Sequence, residues 1–227
     1  SGADVAVVFL GLPAGLESEG YDRDGIDLPG EQLAVLDAVL DVNPNTIVVL
    51  SNGAVVAIPF AERAPAILEG WLLGQAGGGA TADVLFGDVN PSGKLTETIP
   101  KRLSDTPAYL DFPGEFSRVR YGEGLFVGYR WYDARGIDVA FPFGHGLSYT
   151  TFRYGDATAS VNADGDIDIR VVVTNTGAFA GREVVQVYTA LNGGRVQRPP
   201  RELKAFTSVA LGAGESRDVS LTVRRKD

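Results

Sequence analysis

The sequence contains no cysteine and no methionine, and His145 is its single histidine. Without cysteine, the chain can form neither a disulfide framework nor a thiolate metal site. One histidine is too few for a histidine-based zinc site, and most triad chemistry would have to use that one residue. Because residue 1 is Ser1 rather than methionine, we expect a fragment or a processed product of a longer protein.

The chain also lacks an excess of basic residues and long apolar runs. Its net charge is -9, which opposes binding to nucleic acid and to anionic membranes, since phosphate recognition needs clustered Lys and Arg. No stretch approaches the roughly 20 consecutive apolar residues of a membrane span. We therefore expect a neutral partner such as a sugar or a peptide. Composition leaves the compartment open, cytoplasmic or secreted.

The first hundred residues alternate between strand and helix patterns. Residues 4–10 are apolar and β-branched, which predicts a fully buried strand. A helix follows Pro29, with Glu31 early and Asn43-Pro44 as its stop. Further strands are predicted at 46–50, 66–72 and 94–99, and a short helix at 80–86. This order predicts an α/β sandwich domain, residues 1–100, with a mostly parallel sheet and helices on its faces.

The pattern changes twice after residue 100. Residues 101–150 are rich in aromatic residues, Gly and Pro without clear periodicity, which predicts an irregular linker or interface segment. Residues 151–227 contain about five short strands separated by turn signals, as in a β-sandwich. A complete sandwich of this type needs about seven strands, so we expect the chain to stop before this domain is complete.

The densest polar cluster, residues 17–24, follows the first predicted strand. It contains Glu17, Glu19, Tyr21, Asp22 and Arg23. Ligand sites of open α/β sheets lie beyond the carboxyl ends of the strands, where this loop is expected. A carboxylic acid beside an aromatic ring can be partly desolvated, which suits it to proton donation. The Asp-Arg pair could fix the loop by a charge-assisted hydrogen bond. The alternative is a solvated acidic loop.

Three other features have structural rather than catalytic interpretations. The glycine-rich segment 74–79 lacks the Lys and Ser/Thr of a phosphate-binding loop and indicates a tight turn with close packing. His145 is interpreted as a structural or surface histidine. Tyr129, Trp131 and Tyr132 could stack on a sugar face, but such a stripe more often belongs to a core or an interface.

Five segments together, in order, resemble glycoside hydrolase family 3. Glu19-Gly20-Tyr21-Asp22-Arg23 and residues 28–32 look like the acid/base loop of the family and the helix after it. Residues 74–77, 82–87 and 90–95 look like the end of its α/β sandwich domain. Residues 121–133 and 141–150 resemble its linker to a fibronectin type III-like domain, which here would be residues 151–227.

The resemblance implies part of a retaining, exo-acting β-glucosidase that hydrolyses terminal β-D-glucosyl residues. Glu19 matches the general acid/base. Substrate binding or shaping of the loop is assigned to Glu17, Tyr21, Asp22 and Arg23, and Glu17 is also the nearest rival carboxylate. The nucleophile of the family is an aspartate on a (β/α)₈ barrel, which this sequence lacks. The implied partners are a β-glucoside or short β-linked oligosaccharide and that barrel, on the same or another chain. No metal or organic cofactor is implied.

A non-catalytic carbohydrate-binding or spacer module is the alternative. Because retaining chemistry needs two carboxyl groups, we expect the isolated chain to be inactive. The sugar and linkage are left open, because subsite contacts would come largely from the barrel.

Overall fold

The structure, a computed structural model, describes residues 2–191 and 193–226. Its first part is a parallel sheet with the strand order β1-β2-β3, in which Ala6 pairs with Thr46 and Ile47 with Ala66. The elements of this part are β1 Ala6–Gly11, α1 Gly30–Val42, β2 Thr46–Ser51, β3 Ala66–Glu69 and α2 Gly77–Phe86. The prediction of a mostly parallel α/β sheet is therefore confirmed.

Helix α1 covers one face of this sheet. Leu36 and Leu40 stand one turn apart and are both buried, which places a continuous apolar stripe against the strands. The stripe joins a core with Leu10, Val48 and Leu50. Pro29 occupies the N-cap position and Asn43 the C-cap, as the sequence predicts.

Strand β1 is not fully buried, so that prediction is wrong. Its residues alternate, with Leu10 5% exposed but Phe9 65% and Val7 42% exposed. The physical reason is the period of two along a strand: α1 covers only the face that Leu10 shares. Among the described residues, the face of β1 that Val7 and Phe9 share is exposed to solvent.

The segment between residues 87 and 150 contains more regular structure than its composition predicts. A short helix, α3 Tyr129–Arg135, follows the 3₁₀ turn Leu103–Asp105. The strand predicted at 94–99 is reduced to β4 Ile99–Pro100, which pairs with β5 Val139–Phe141. The earlier part of the predicted strand makes two backbone hydrogen bonds instead: Leu95 N donates to His145 O, and Gly144 N donates to Leu95 O.

The last part is a β-sandwich with six strands in the described residues, one more than the sequence indicates. One sheet has the order β11-β8-β6 with β7 also on β8, and the other pairs β10 with β9. Val173, Leu211 and Val185 form the centre of its core. The strands are β6 Phe152–Tyr154, β7 Thr158–Val161, β8 Ile167–Asn175, β9 Gly181–Thr189, β10 Glu202–Leu211 and β11 Ser216–Val223.

Hydrogen bonds join the sandwich to the α/β part. Asn90 donates from Nδ2 to Ala180 O (2.8 Å), and its Oδ1 accepts from Ser148 Oγ and from Tyr149 N, both at 2.8 Å. Tyr129 Oη accepts from Leu203 N at 2.7 Å. These bonds use polar groups from distant parts of the chain and fix one orientation of the sandwich.

Among the described helices, none has the length and apolar character that a bilayer crossing requires.

Candidate active site

The loop of residues 12–29 rises from the carboxyl edge of the parallel sheet, where the sequence places it. Its root is fixed by the side-chain amide of Gln32 on α1. Gln32 accepts from Gly11 N at 3.0 Å and donates to Gly11 O at 2.9 Å, so it completes the hydrogen bonding of the last residue of β1. The loop therefore leaves the sheet in a defined direction.

Glu17 attaches this loop to the neighbouring loop after β2. Its Oε2 accepts from Gly53 N at 2.8 Å and its Oε1 from Ala54 N at 2.9 Å. Bonds from backbone N–H groups to an ionised carboxylate are stronger than neutral ones. With both oxygens used in this way, Glu17 has a loop-shaping geometry.

Tyr21 and Arg23 make two further attachments. The hydroxyl of Tyr21 donates to Ala14 O at 3.0 Å and closes the loop on itself. Arg23 donates from Nη2 to Val55 O at 2.9 Å. In the described residues no ion pair joins Arg23 to Asp22, which is exposed, so the structure gives no support to an Asp-Arg pair within the loop.

Glu19 lies at the exposed apex of the loop. Among the described residues none donates a hydrogen bond to its carboxylate, and only its backbone oxygen is used, by Ser18 Oγ at 3.4 Å. Glu19 and Tyr21 are both exposed, so the structure shows no burial of this carboxylate. The structure thus presents a free carboxylate on a loop that is held at three other residues.

Residues at the ends of β2 and β3 complete this edge, and the sequence analysis missed them. Glu69 ends β3, and its Oε1 accepts from Trp71 N at 2.9 Å. Burial raises the pKa of Glu69, against hydrogen bonds from Trp71 and Asn52 that lower it. Trp71 has a left-handed backbone (φ 52°), which is uncommon for a residue with a side chain. The rule that ligand sites follow strand ends, applied to all three strands, would have found this group.

The glycine-rich segment makes a tight turn, as predicted. Gly74 has φ 68°, and Gly77 N donates to Gly74 O where α2 begins. A Cβ on Gly77 would lie 2.6 Å from Leu73 Cβ, so close packing requires glycine there.

The aromatic stripe packs within the protein. Tyr129 stacks on Phe143 with ring centroids 4.8 Å apart, and Trp131 Nε1 donates to Asp105 O at 3.0 Å. His145 is half-buried against Phe141. Burial lowers its pKa, and the positive charge of the nearby Lys94 lowers it further. These contacts agree with the core and interface interpretation.

No cluster of three or more His, Asp or Glu side chains is placed to hold a metal ion in residues 2–191 and 193–226.

The chain thus combines a parallel α/β sheet, a β-sandwich and an acidic loop at the carboxyl edge of the sheet. The model of the glycosyl hydrolase family 3 C-terminal domain matches residues 1–149, and that of the fibronectin type III-like domain matches residues 183–227. The chain belongs to glycoside hydrolase family 3.

Relatives and solved structures agree with this assignment. Thermostable beta-glucosidase B of Acetivibrio thermocellus is 51% identical over 229 residues, which cover 100% of this chain and 30% of the relative. An exo-alpha-(1->6)-L-arabinopyranosidase of Bifidobacterium longum is 49% identical over 96% of this chain and 29% of its own length.

The crystal structure of the Bifidobacterium adolescentis GH3 beta-glucosidase superposes with a TM-score of 0.95 at 48% identity. The match covers 99% of this chain and 34% of that one. A Kluyveromyces marxianus beta-glucosidase in complex with glucose superposes with a TM-score of 0.93 at 48% identity, over 97% and 27% of the two chains. This chain therefore spans about a third or less of the proteins that it matches.

Proposed function

We propose that this chain is the part of a retaining, exo-acting β-glucosidase that supplies the general acid/base, and that Glu19 is that residue. The observation that carries the proposal is the contrast between Glu19 and Glu17. Glu17 has both carboxylate oxygens bonded to backbone N–H groups, whereas Glu19 is exposed with its carboxylate unused.

In this mechanism Glu19 first donates its proton to the departing glycosidic oxygen. In the second step it takes a proton from water, whose oxygen displaces the sugar from the nucleophile. Glu17, Tyr21 and Arg23 hold the loop so that the Glu19 carboxylate reaches the glycosidic oxygen. Asp22, also exposed, is assigned to the loop beside them.

The nucleophile is proposed to be an aspartate on a (β/α)₈ barrel outside this chain. A retaining glycosidase places its two carboxyl groups about 5–5.5 Å apart, so the barrel must come to rest against this loop. It would also supply the shielding from water that Glu19 lacks here. Accordingly, the chain alone is proposed to be inactive.

The proposed substrate is a β-glucoside or a short β-linked oligosaccharide. Several relatives are named as beta-glucosidases, and the Kluyveromyces marxianus enzyme has been seen with glucose. One relative of almost equal identity is named as an arabinopyranosidase. A very similar C-terminal part thus accompanies more than one named activity, so the sugar is expected to be selected mainly by the barrel.

The test uses a chimera in which this chain replaces the matching segment of the Acetivibrio thermocellus enzyme. Glu19→Gln in the chimera should abolish nearly all of the kcat/KM for an alkyl β-glucoside, whose leaving group needs protonation. The kcat/KM for a dinitrophenyl β-glucoside, whose leaving group departs as an anion, should fall far less, although its kcat should fall because the second step still needs the base. A matched exposed control is Glu62→Gln, which should leave both rates unchanged.

Three results would contradict the proposal. Equal losses of kcat/KM on both substrates would remove the acid/base role from Glu19. No loss on either would favour the alternative, a non-catalytic carbohydrate-binding or spacer module. Clear turnover of an aryl β-glucoside by the isolated 227-residue chain, lost on Glu17→Gln or Asp22→Asn, would place both carboxylates in this chain.

A further inference from the structure

A cleft of about 390 Å³ lies where the α/β part meets the sandwich. One wall comes from α3, β5 and residues 142–145, and the other from β9 with Tyr154. None of the loop residues 17–23 lines it. The volume lies within the range of roughly 300–1,000 Å³ that is typical of small-molecule sites.

The charged groups of this cleft neutralise one another. Lys94 Nζ lies 3.3 Å from Glu183 Oε2, and Arg201 Nε lies 2.6 Å from Asp133 Oδ2. The second oxygen of Glu183 accepts from Tyr154 Oη at 3.0 Å. A charged ligand would have to compete with these pairs, and the largely buried Lys94–Glu183 pair is costly to break. The lining therefore favours an uncharged ligand.

Polar groups with unused hydrogen-bonding capacity also line the cleft. Thr98 is 7% exposed, and its hydroxyl has no hydrogen-bond partner among the described residues. Tyr132 is 6% exposed, and its hydroxyl takes part in none of the hydrogen bonds found among the described residues. Burial, with Asp105 and Glu97, raises the pKa of Tyr132 to about 12, so the group is a neutral donor at physiological pH. Buried polar groups normally have a partner, which makes the Thr98 hydroxyl exceptional.

Aromatic rings provide the apolar part of the lining. Tyr129 stacks on Phe143 at 4.8 Å and meets Tyr188 edge-on at 5.9 Å. Aromatic surfaces beside hydroxyl and imidazole groups suit a molecule that has both C–H faces and hydroxyls. His145 adds an imidazole to this lining, and its side chain enters none of the hydrogen bonds found in the described part of the chain.

We propose that this cleft is a binding site for one small, neutral, polyhydroxylated molecule, a monosaccharide or a polyol. Its hydroxyls would bond with the Tyr132, Thr98 and His145 side chains. Its C–H faces would lie against the aromatic rings. Because the ligand would touch both the α/β part and the sandwich, binding would also stabilise their docking.

The test titrates the purified, ¹⁵N-labelled chain with D-glucose and, separately, with glycerol. Saturable shifts of backbone amides are expected for residues 144–145 and 183–188, and none for residues 17–23. Tyr132→Phe and Thr98→Val, which remove one hydroxyl each without much change of shape, should each weaken glucose binding by up to about tenfold. The control Tyr121→Phe removes the hydroxyl of a tyrosine that is 85% exposed and outside the cleft, and should change nothing.

Several outcomes would overturn the proposal. They are an absence of saturable shifts with both probes, shifts confined to residues 17–23, or equal affinity in both variants and the unmodified chain. Gluconate is an anion, so if it bound as tightly as glucose, the proposal of an uncharged ligand would be rejected. Circular dichroism checks that each variant is folded. If one variant does not fold, the glucose affinity of the other variant and the map of amide shifts test the proposal. No readout uses hydrolysis, so failure of the proposed glycosidase function would leave this result intact.

Discussion

The carboxylate of Glu17 accepts a hydrogen bond from the backbone N–H of Gly53, 36 positions further along the chain, and the adjacent N–H of Ala54 binds its other oxygen. This attachment joins the loops after β1 and β2. A Cβ on Gly53 would lie 3.1 Å from Glu17 Cδ and 3.0 Å from Leu72 Cδ1, so a side chain there would force these groups to shift by a few tenths of an ångström. The position of Glu19 thus depends on contacts made by residues that need not touch substrate.

Glu17→Gln should lower turnover of the chimera without depending on the leaving group. Gln keeps one acceptor oxygen but presents an NH₂ to the second backbone N–H, so one attachment is lost and the loop loosens. We expect the rates on alkyl and dinitrophenyl β-glucosides to fall by the same factor, about tenfold or more. Steady-state kinetics on both substrates measures this.

A selective loss on the alkyl substrate would instead make Glu17 a proton donor. Glu62→Gln, on an exposed glutamate outside the loop, serves as the matched control for this variant too.

Gly77→Ala and Gly79→Ala should change stability in opposite directions. A Cβ at Gly77 would lie 2.6 Å from Leu73 Cβ, and such overpacking typically costs about 1–3 kcal/mol. A Cβ at Gly79 meets nothing within 4 Å, so the helix should gain about 0.5–1 kcal/mol. Urea denaturation of the two variants measures the free energies of unfolding. Equal effects at the two positions would contradict the close packing of α2.

Asn175→Ala should strongly destabilise the sandwich. The side chain is completely buried at the end of β8. Its Oδ1 accepts from Thr150 Oγ1 (2.6 Å) and Gly177 N (3.1 Å), and its Nδ2 donates to Phe179 O (2.8 Å) and Leu211 O (3.2 Å). Loss of these bonds, with partners left unsatisfied, should cost about 3 kcal/mol or more.

The control for Asn175 is Thr150→Val, which removes one of those bonds and should cost about 1 kcal/mol. Thermal unfolding of both variants ranks them. If Thr150→Val were as damaging as Asn175→Ala, the buried amide would not be the centre of this network.

Because of Glu69, the free energy of unfolding should fall as the pH rises above the ordinary pKa of a glutamate. Burial raises its pKa in the folded chain, so between the unfolded and folded pKa values the folded state binds more protons. The free energy of unfolding then decreases with pH across that window. Glu69→Gln cannot ionise, while its Oε1 can still accept from Trp71 N, so this part of the pH dependence should disappear.

Urea unfolding at several values between about pH 4 and pH 7 compares the two chains over the range in which buried glutamates titrate. Their stability difference should shift in favour of Glu69→Gln as the pH rises. Parallel curves would show that Glu69 keeps its ordinary protonation in the folded state.

Local patterns in the sequence determined the elements whose causes are local. The spacing of Leu36 and Leu40, the proline before α1 and the Asn-Pro stop are sufficient to predict that helix. Alternating apolar residues predict β8, with Val171 and Val173 buried on one face. The five segments that resemble the family, one of them around Glu19, identify it without reference to any contact. The boundaries proposed at residues 100 and 150, and the role of Glu19, stay predictions.

Tertiary structure alone decided the features that depend on residues far apart in the chain. The exposed face of β1 follows from which face α1 covers, and an apolar strand sequence does not contain that information. The bond from Glu17 to Gly53 spans 36 positions, and the cleft gathers residues from Lys94 to Arg201. Hydrogen bonds and packing act over a few ångströms in space whatever the separation along the chain, so only the folded arrangement shows which side chains meet.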